Sequence, residues 1–123
     1  MRKISLITTL CVFAFVNLHA QPPGDWRSKM PKVGKITGLV IDSISNKPLE
    51  FASVSVYRLK DSSLVGGMIT NEKGKFLVEE LPYGRFRVEV NFMGYGTWKR
   101  SPVMIYPGQT TIELDKIIIA PTT

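Results

Sequence analysis

The chain has 123 residues, the length of one domain, which excludes a barrel enzyme, a repeat array or a second catalytic domain. It is 44% hydrophobic and 21% charged, a globular composition, and its ten Gly and eight Pro favour strands and turns. The net charge of +6 is spread along the whole chain. Because a nucleic-acid footprint needs cations clustered on one face, no nucleic-acid partner is expected.

The first twenty residues have the pattern of an export signal. Arg2 and Lys3 form a basic start, residues 4–18 form a short apolar stretch, and Ala20 is a small residue at a plausible cleavage point. The stretch is too short for a transmembrane helix, which needs about twenty apolar residues. We therefore predict a signal peptide at residues 1–20, a Pro-rich linker at 21–34, no transmembrane span in the mature chain, and a location in the periplasm or at the outer membrane.

The residue types left after the predicted signal argue against catalysis. The single Cys and the single His, Cys11 and His19, both lie within the signal. The mature chain then has no disulfide, no Cys/His zinc site, no thiol nucleophile and no His general base. Glu79 and Glu80 are neighbours on a predicted strand, so they should point to opposite faces and cannot act as an acid/base pair. We expect no enzyme, no catalytic residue, no metal and no cofactor.

One polar loop offers oxygen donors for a cation. Asp42, Ser43, Ser45 and Asn46 follow the first predicted strand. They lack the carboxylate density and the bidentate Glu of a dedicated calcium site. Hydrogen bonding within a turn is the favoured prediction for this loop, and a bound cation is the alternative.

The chain from Lys35 onward is a series of short apolar runs separated by turn residues. Predicted strands cover residues 35–41, 51–59, 64–70, 75–81, 85–92, 97–105 and 109–114. In the clearest run, one side carries only apolar residues and is predicted to form the centre of the core: Phe86, Val88, Val90 and Phe92. With no amphipathic helix, this spacing predicts a seven-stranded antiparallel Greek-key β-sandwich.

Two glycine positions have specific structural predictions. The Gly66-Gly67 pair lies inside a strand pattern, which suggests a bulge or a close backbone approach. Gly74 closes the sequence Asn71-Glu72-Lys73-Gly74, which predicts a tight hairpin with a left-handed glycine.

Three segments together resemble a known family: ITGLVIDSISNKPLEFASVSVY, DSSLVGGMITNEKGKF and LPYGRFRVEVNFMGY. Their order is similar to the carboxypeptidase regulatory-like domain, a transthyretin-like sandwich, over residues 35–115, with residues 116–123 as a C-terminal strand or connector. Asn71 stands where the family usually has Asp, and Phe86 stands where it usually has Tyr. Asn can form the same turn as Asp, and Phe still fills the core. The resemblance implies no peptidase activity.

The export signal, the Pro-rich lead-in and the segment DSSLVGGMITNEKGKF together resemble the N-terminal module of Bacteroidetes outer-membrane β-barrel proteins of the TonB-dependent receptor class. This resemblance implies a non-catalytic spacer or docking domain whose partner is an outer-membrane barrel or another envelope protein. The alternative is a freestanding carbohydrate-binding module, in which Tyr95, Trp98 and Tyr106 stack on a glycan. In the simpler interpretation of these aromatic residues, Tyr95 closes the end of the sandwich and Trp98 covers its edge.

Three consecutive isoleucines, Ile117, Ile118 and Ile119, follow the last predicted strand. An exposed run of β-branched residues is an aggregation hazard, so we expect it to be covered. The segment can extend the last strand at the sandwich edge, or it can pair with a partner strand or lead to a further domain. The second interpretation is favoured here, which makes the three isoleucines candidate partner contacts.

Overall fold

A computed structural model describes residues 31–122, so the predicted signal peptide and residues 21–30 of the predicted linker lie outside the described residues. The described part is built from seven strands and contains no helix. The strands are β1 (Gly34–Asp42), β2 (Ser53–Arg58), β3 (Leu64–Ile69), β4 (Lys75–Leu81), β5 (Gly84–Asn91), β6 (Trp98–Ile105) and β7 (Thr111–Ile119).

The strands form two sheets that pack face to face. One sheet has the order β4-β1-β7 and the other has the order β3-β2-β5-β6. The predicted all-β sandwich is confirmed, with one difference: β1 and β7 are parallel, with Val40 opposite Ile117. Since β7 enters the three-stranded sheet after crossing over from β6 in the other sheet, it is free to run in the same direction as β1.

The core lies between the sheets and is centred on β5, as its alternating pattern predicts. Phe86, Val88 and Val90 are fully buried. Phe92 follows the end of β5 and is half-buried against the core. The remaining core residues come from all the other strands except β3, and from Ala52 just before β2: Ile36, Val40, Ala52, Val54, Val56, Phe76, Val78, Leu81, Val103, Ile105, Leu114, Ile117 and Ile119.

Both edge strands of the three-stranded sheet contain a bulge. In β4, Glu80 has φ 57°, and the pairing with β1 shifts between Gly34 and Ile36. The extra residue breaks the alternation, so Glu79 and Glu80 both face solvent, which corrects the prediction that they point to opposite faces. In β7, Asp115 has φ 56° where the pairing with β1 shifts.

Gly66 and Gly74 are required by close contacts. A Cβ atom at Gly66 would lie 3.0 Å from Cγ1 of Val78, so the glycine leaves room for a side chain of the other sheet. The pairing of β3 with β2 shifts beside Gly66, between Val56 and Tyr57, which is the predicted bulge. Gly74 has φ 73°, and a Cβ atom there would lie 2.7 Å from the Val40 carbonyl oxygen. The Asn71 side chain accepts hydrogen bonds from the backbone N–H groups of Lys73 and Lys75, each at 3.0 Å, and so completes the predicted hairpin.

Candidate functional site

The loop after β1 is organised by hydrogen bonds to the Asp42 carboxylate. Oδ2 accepts the Ser45 hydroxyl at 2.7 Å and the Ser45 backbone N–H at 3.3 Å, and Oδ1 accepts the Ile44 backbone N–H at 3.3 Å. These are the turn hydrogen bonds predicted for this loop. Residues 31–122 hold no cluster of three Asp, Glu, His or Cys side chains that could bind a metal ion.

Tyr95 closes one end of the sandwich next to Asp42. Its ring packs edge-on against Phe92, with ring centroids 5.2 Å apart and an interplanar angle of 70°. Desolvation, followed by the negative charge of Asp42, raises the pKa of the Tyr95 hydroxyl. The Ser45 hydroxyl, together with the two backbone N–H groups and Tyr95, lowers the pKa of Asp42 against a smaller opposing effect of burial. The pair is a structural contact at the sandwich end.

The structure does not bring the three predicted aromatic residues together. Trp98 begins β6 and is half-buried against the core, whereas Tyr106 follows the other end of β6 and is 45% exposed. A strand of this length separates the two rings by roughly 25 Å. Tyr95, Trp98 and Tyr106 therefore do not form one stacking platform, and Tyr95 and Trp98 take the structural positions of the simpler interpretation.

The three isoleucines of β7 are divided between two surfaces. Ile117 is fully buried and Ile119 is 3% exposed, while Ile118 between them is 56% exposed. This corrects the expectation that all three contact a partner. The bulge at Asp115 restarts the alternation of side chains, which places Ile117 and Ile119 in the core and leaves only Ile118 on the outside.

The outer surface of the four-stranded sheet has a charged network at its centre. We call it the polar face, formed by Tyr57, Arg87, Glu89 and Lys99. The Arg87 guanidinium lies 4.8 Å from the Tyr57 ring centroid, and Arg87 Nε lies 3.5 Å from Glu89 Oε1. Lys99 Nζ lies 3.4 Å from the same Glu89 oxygen. The three charges pair through the Glu89 carboxylate, while Arg87 Nε is buried without a hydrogen-bond partner.

The outer surface of the three-stranded sheet is an open groove of about 1010 Å³. We call it the β1 groove, and its lining includes Thr37, Leu39, Lys75, Leu77, Glu113 and Lys116. In the strand register, Thr37 lies between Leu77 and Glu113, and Leu39 lies between Lys75 and Lys116. Leu77 is 38% exposed, and the exposed Ile118 continues the apolar surface beside Ile41. The groove thus has an apolar floor and a rim with charges of both signs.

Sequence reasoning missed Leu39 and Leu77 as candidate site residues. A signal was present, because the segment LVI at residues 39–41 in β1 is apolar on both faces of the strand and does not alternate. Such a run is typical of a strand that is covered on both sides. In the structure one side of β1 faces the core, and the other side is the floor of the β1 groove.

Within residues 31–122, no helix is long and apolar enough to cross a membrane. The model of the carboxypeptidase regulatory-like domain matches residues 35–115, which is most of the chain. No curated protein sequence matches this chain.

Solved structures with the same fold have different roles. One is the 5-hydroxyisourate hydrolase of Klebsiella pneumoniae, with 19% identity and a TM-score of 0.57, covering 73% of this chain and 92% of that one. A chain of a type II cohesin–X-dockerin complex from Acetivibrio cellulolyticus has 14% identity and a TM-score of 0.55, covering 72% of this chain and 58% of that one. BcpA, the major pilin subunit of Bacillus cereus, has 16% identity and a TM-score of 0.54, covering 75% of this chain and 31% of the pilin chain.

These identities are low, so the likenesses show the fold alone. This chain spans just over half of the X-dockerin complex chain and less than a third of the pilin chain, so its fold corresponds to one part of those proteins. The family match, the seven-stranded sandwich and the transthyretin-like neighbour agree with one another. The chain belongs to the carboxypeptidase regulatory-like domain family.

Proposed function

We propose that this protein is a non-catalytic docking module of an exported envelope assembly and that it binds its partner in the β1 groove. The observation that carries the proposal is the apolar floor of Leu39 and Leu77 on the outer face of a sheet. A sheet with one face open to water normally carries polar residues on that face, and apolar surface rimmed by polar groups is typical of a protein contact.

The chemistry of the groove favours an extended, mostly apolar segment as its occupant. Lys75 and Lys116 flank Leu39, while Glu113 and Asp115 lie along the same rim. Because the rim carries both signs, a strongly acidic or strongly basic partner would be repelled by part of it. A segment that places apolar side chains on the floor and small polar groups at the rim fits best.

One further observation supports a role in the cell envelope. The first twenty residues have the pattern of an export signal. The resemblance of this signal, the Pro-rich lead-in and the segment DSSLVGGMITNEKGKF to modules of TonB-dependent receptors makes an outer-membrane barrel of that class the proposed partner.

The test is site-specific photo-cross-linking in the cells that export the protein. A benzophenone amino acid replaces Leu77 in the groove, and in a matched variant it replaces Ser55 on the outer side of β2. We expect an adduct with an exported envelope protein from position 77 only. We also expect Leu39→Ser to abolish the adduct without changing the melting temperature by more than a few degrees.

Three results would overturn the proposal: no adduct at position 77, equal adducts at both positions, or an adduct that survives Leu39→Ser. Glycan binding is tested in parallel with purified envelope polysaccharide and isothermal calorimetry. Binding that Tyr106→Ala removes and Leu39→Ser does not would favour the carbohydrate-binding alternative instead.

A further inference from the structure

The segment that precedes β1 carries a large apolar side chain, Trp26. Residues 21–30 have the sequence QPPGDWRSKM, and Trp26 is one of the two tryptophans of the chain. Aromatic side chains bury a large apolar area and dominate the energetics of protein contacts. A tryptophan tethered close to an open apolar groove is therefore a candidate occupant of that groove.

The start of β1 directs this segment away from the sheet. β1 is the central strand of its sheet, between β4 and β7. Pro31 has no backbone N–H, so it cannot pair within a central strand. Residues 31–33 are exposed and form no strand. The chain before Gly34 is therefore free to turn over the end of the sheet and does not extend β1.

The segment is long enough to return along the outer face of β1. Leu39, in the floor of the β1 groove, lies six residues after Val33, which is about 20 Å along a strand. Trp26 lies seven residues before Val33, and an extended Pro-rich segment spans about 3.1 Å per residue. A turn at residues 31–33 thus brings Trp26 to the level of Leu39.

The charges beside Leu39 complement those beside Trp26 in this antiparallel register. Lys75 and Lys116 flank Leu39 on the two neighbouring strands. Asp25, which precedes Trp26, then lies beside these two lysines. Opposite charges at this point favour the same register as the chain lengths.

The signs of the charges are reversed nearer the turn. Glu113 and Asp115 lie along the part of the groove that is closer to the start of β1. Arg27 and Lys29 lie on the turn side of Trp26. In the antiparallel register these two cations pass the two carboxylates. The order of charges in the segment, negative and then positive, thus complements the order along the groove.

We propose that the chain's own segment 21–30 lies in the β1 groove, with Trp26 against Leu39 and Leu77, until the docking partner displaces it. The segment is tethered to the start of β1, which gives it an effective concentration of about millimolar at the groove. A contact too weak to hold a free peptide is sufficient under this condition. The inference names the resident occupant of the groove and rests on the proposed function only for the displacement by a partner.

The first test measures the shielding of Trp26 in the protein purified from the cells that export it. The fluorescence of a Trp26→Phe variant is subtracted from that of the parent chain, which isolates the emission of Trp26 from that of Trp98. We expect emission at a shorter wavelength than in urea. We also expect a quenching constant for acrylamide about threefold smaller than in urea, because a packed indole ring is removed from water.

Two serine variants locate the contact. Leu39→Ser removes apolar surface from the floor of the groove and should return the emission and the quenching of Trp26 to the values of the unfolded chain. The matched control is Ile69→Ser, which changes an exposed isoleucine of the four-stranded sheet and should leave Trp26 shielded. Circular dichroism verifies that both variants are folded.

A charge exchange tests the register. Asp25→Lys places a cation beside Lys75 and Lys116 and should raise the quenching constant of Trp26. Adding Lys75→Asp should lower it again, because opposite charges then meet at this position. The control is Lys60→Asp in the loop between β2 and β3, which should restore nothing.

Three results would overturn the inference. The first is a Trp26 that acrylamide quenches as strongly in the folded chain as in urea. The second is shielding of Trp26 that survives Leu39→Ser. The third is shielding that disappears on dilution, because the occupant would then be a second copy of the chain.

The docking function is tested separately by the cross-link from position 77. Trp26→Ala should increase the yield of the adduct with the envelope protein, because it empties the groove, and an unchanged yield would contradict the displacement. A shielded Trp26 in the parent chain, with no adduct in the Trp26→Ala background, would overturn the docking function alone. An adduct from a chain whose Trp26 is unshielded would overturn this inference alone.

Discussion

The two sheets of the sandwich differ at the centres of their outer faces. On the four-stranded sheet, Arg87 and Lys99 share the Glu89 carboxylate, and Arg87 stacks on Tyr57. On the three-stranded sheet, Leu39 and Leu77 form an apolar floor with charges only along the rim. A sheet in a two-layer sandwich needs to bury only one of its faces, so the fold does not require the outer face of the smaller sheet to be apolar. The difference separates a solvated surface from a surface available for a partner.

The same difference is visible in the strands that form the two faces. In β5 the buried and outward residues alternate cleanly, with Val88 and Val90 inward and Arg87 and Glu89 outward. In the second half of β1 the apolar/polar alternation is lost, because Leu39 and Ile41 on the outer side are as apolar as Val40 on the inner side. A strand without alternation is thus informative about function when the structure shows that its second face is open.

The largest expected effect comes from reversing the polarity of the inner face of β5. Val88 is fully buried, and an unpaired carboxylate in the core costs several kcal/mol, comparable with the whole stability of a small domain. Val88→Asp should unfold the protein, as measured by circular dichroism. Ser53→Asp on the outer side of neighbouring β2 is the control and should remain folded. A soluble Val88→Asp variant with an unchanged melting curve would show that the side chain at position 88 does not face the core.

A large effect is also expected from the buried isoleucines of β7. Ile117→Ala should lower the free energy of unfolding by about 2–5 kcal/mol in urea denaturation, because it removes packed methyl groups from the core. The exposed neighbour Ile118 provides the control, since Ile118→Ala should change the free energy of unfolding by less than about 1 kcal/mol. Truncation after Leu114 should destabilise the sandwich strongly. If the truncated chain kept its melting temperature, the segment after Leu114 would not belong to the sandwich and would be a separate interaction strand.

A smaller effect is expected on the polar face. Glu89→Gln should lower the free energy of unfolding by about 0.5–1 kcal/mol, because Glu89 is paired with a half-buried Arg87 and an exposed Lys99. Most of this loss should disappear in high salt, which screens exposed charges. Glu113→Gln in the rim of the β1 groove is the matched control and should have a smaller effect. Equal effects of both variants would mean that the charges of the two faces contribute alike.

The smallest effect is the pH dependence due to Asp42. Its folded pKa is lowered, chiefly by the Ser45 hydroxyl, from the ordinary value of 3.8. The stabilisation is therefore complete above the pKa of the unfolded state and is lost as the pH falls below about 4, through the folded pKa. Thermal melts from pH 7 to pH 2 should show a shallower decline for Ser45→Ala than for the parent chain. Identical slopes would exclude Asp42 as a contributor.

Local residue chemistry was sufficient to predict part of this protein. The hairpin of Asn71 and Gly74 follows from one side chain that accepts two backbone N–H groups and one glycine that adopts positive φ. The buried side of β5 follows from a strict period of two. Both depend on residues that are close together in the chain, so they are determined before any long-range contact forms.

Other features were decided only by contacts between distant segments. Asp115 and Lys116 mark the end of a strand in the sequence pattern, but pairing with β1 carries β7 through a bulge to Ile119 and buries Ile117. The pairing of β1 with β4 and β7 places Leu39 between Lys75 and Lys116, which are far apart in the sequence. The sequence determined which segments form strands and where they turn. The tertiary structure decided which faces and edges stay open, because that depends on which strands lie next to each other.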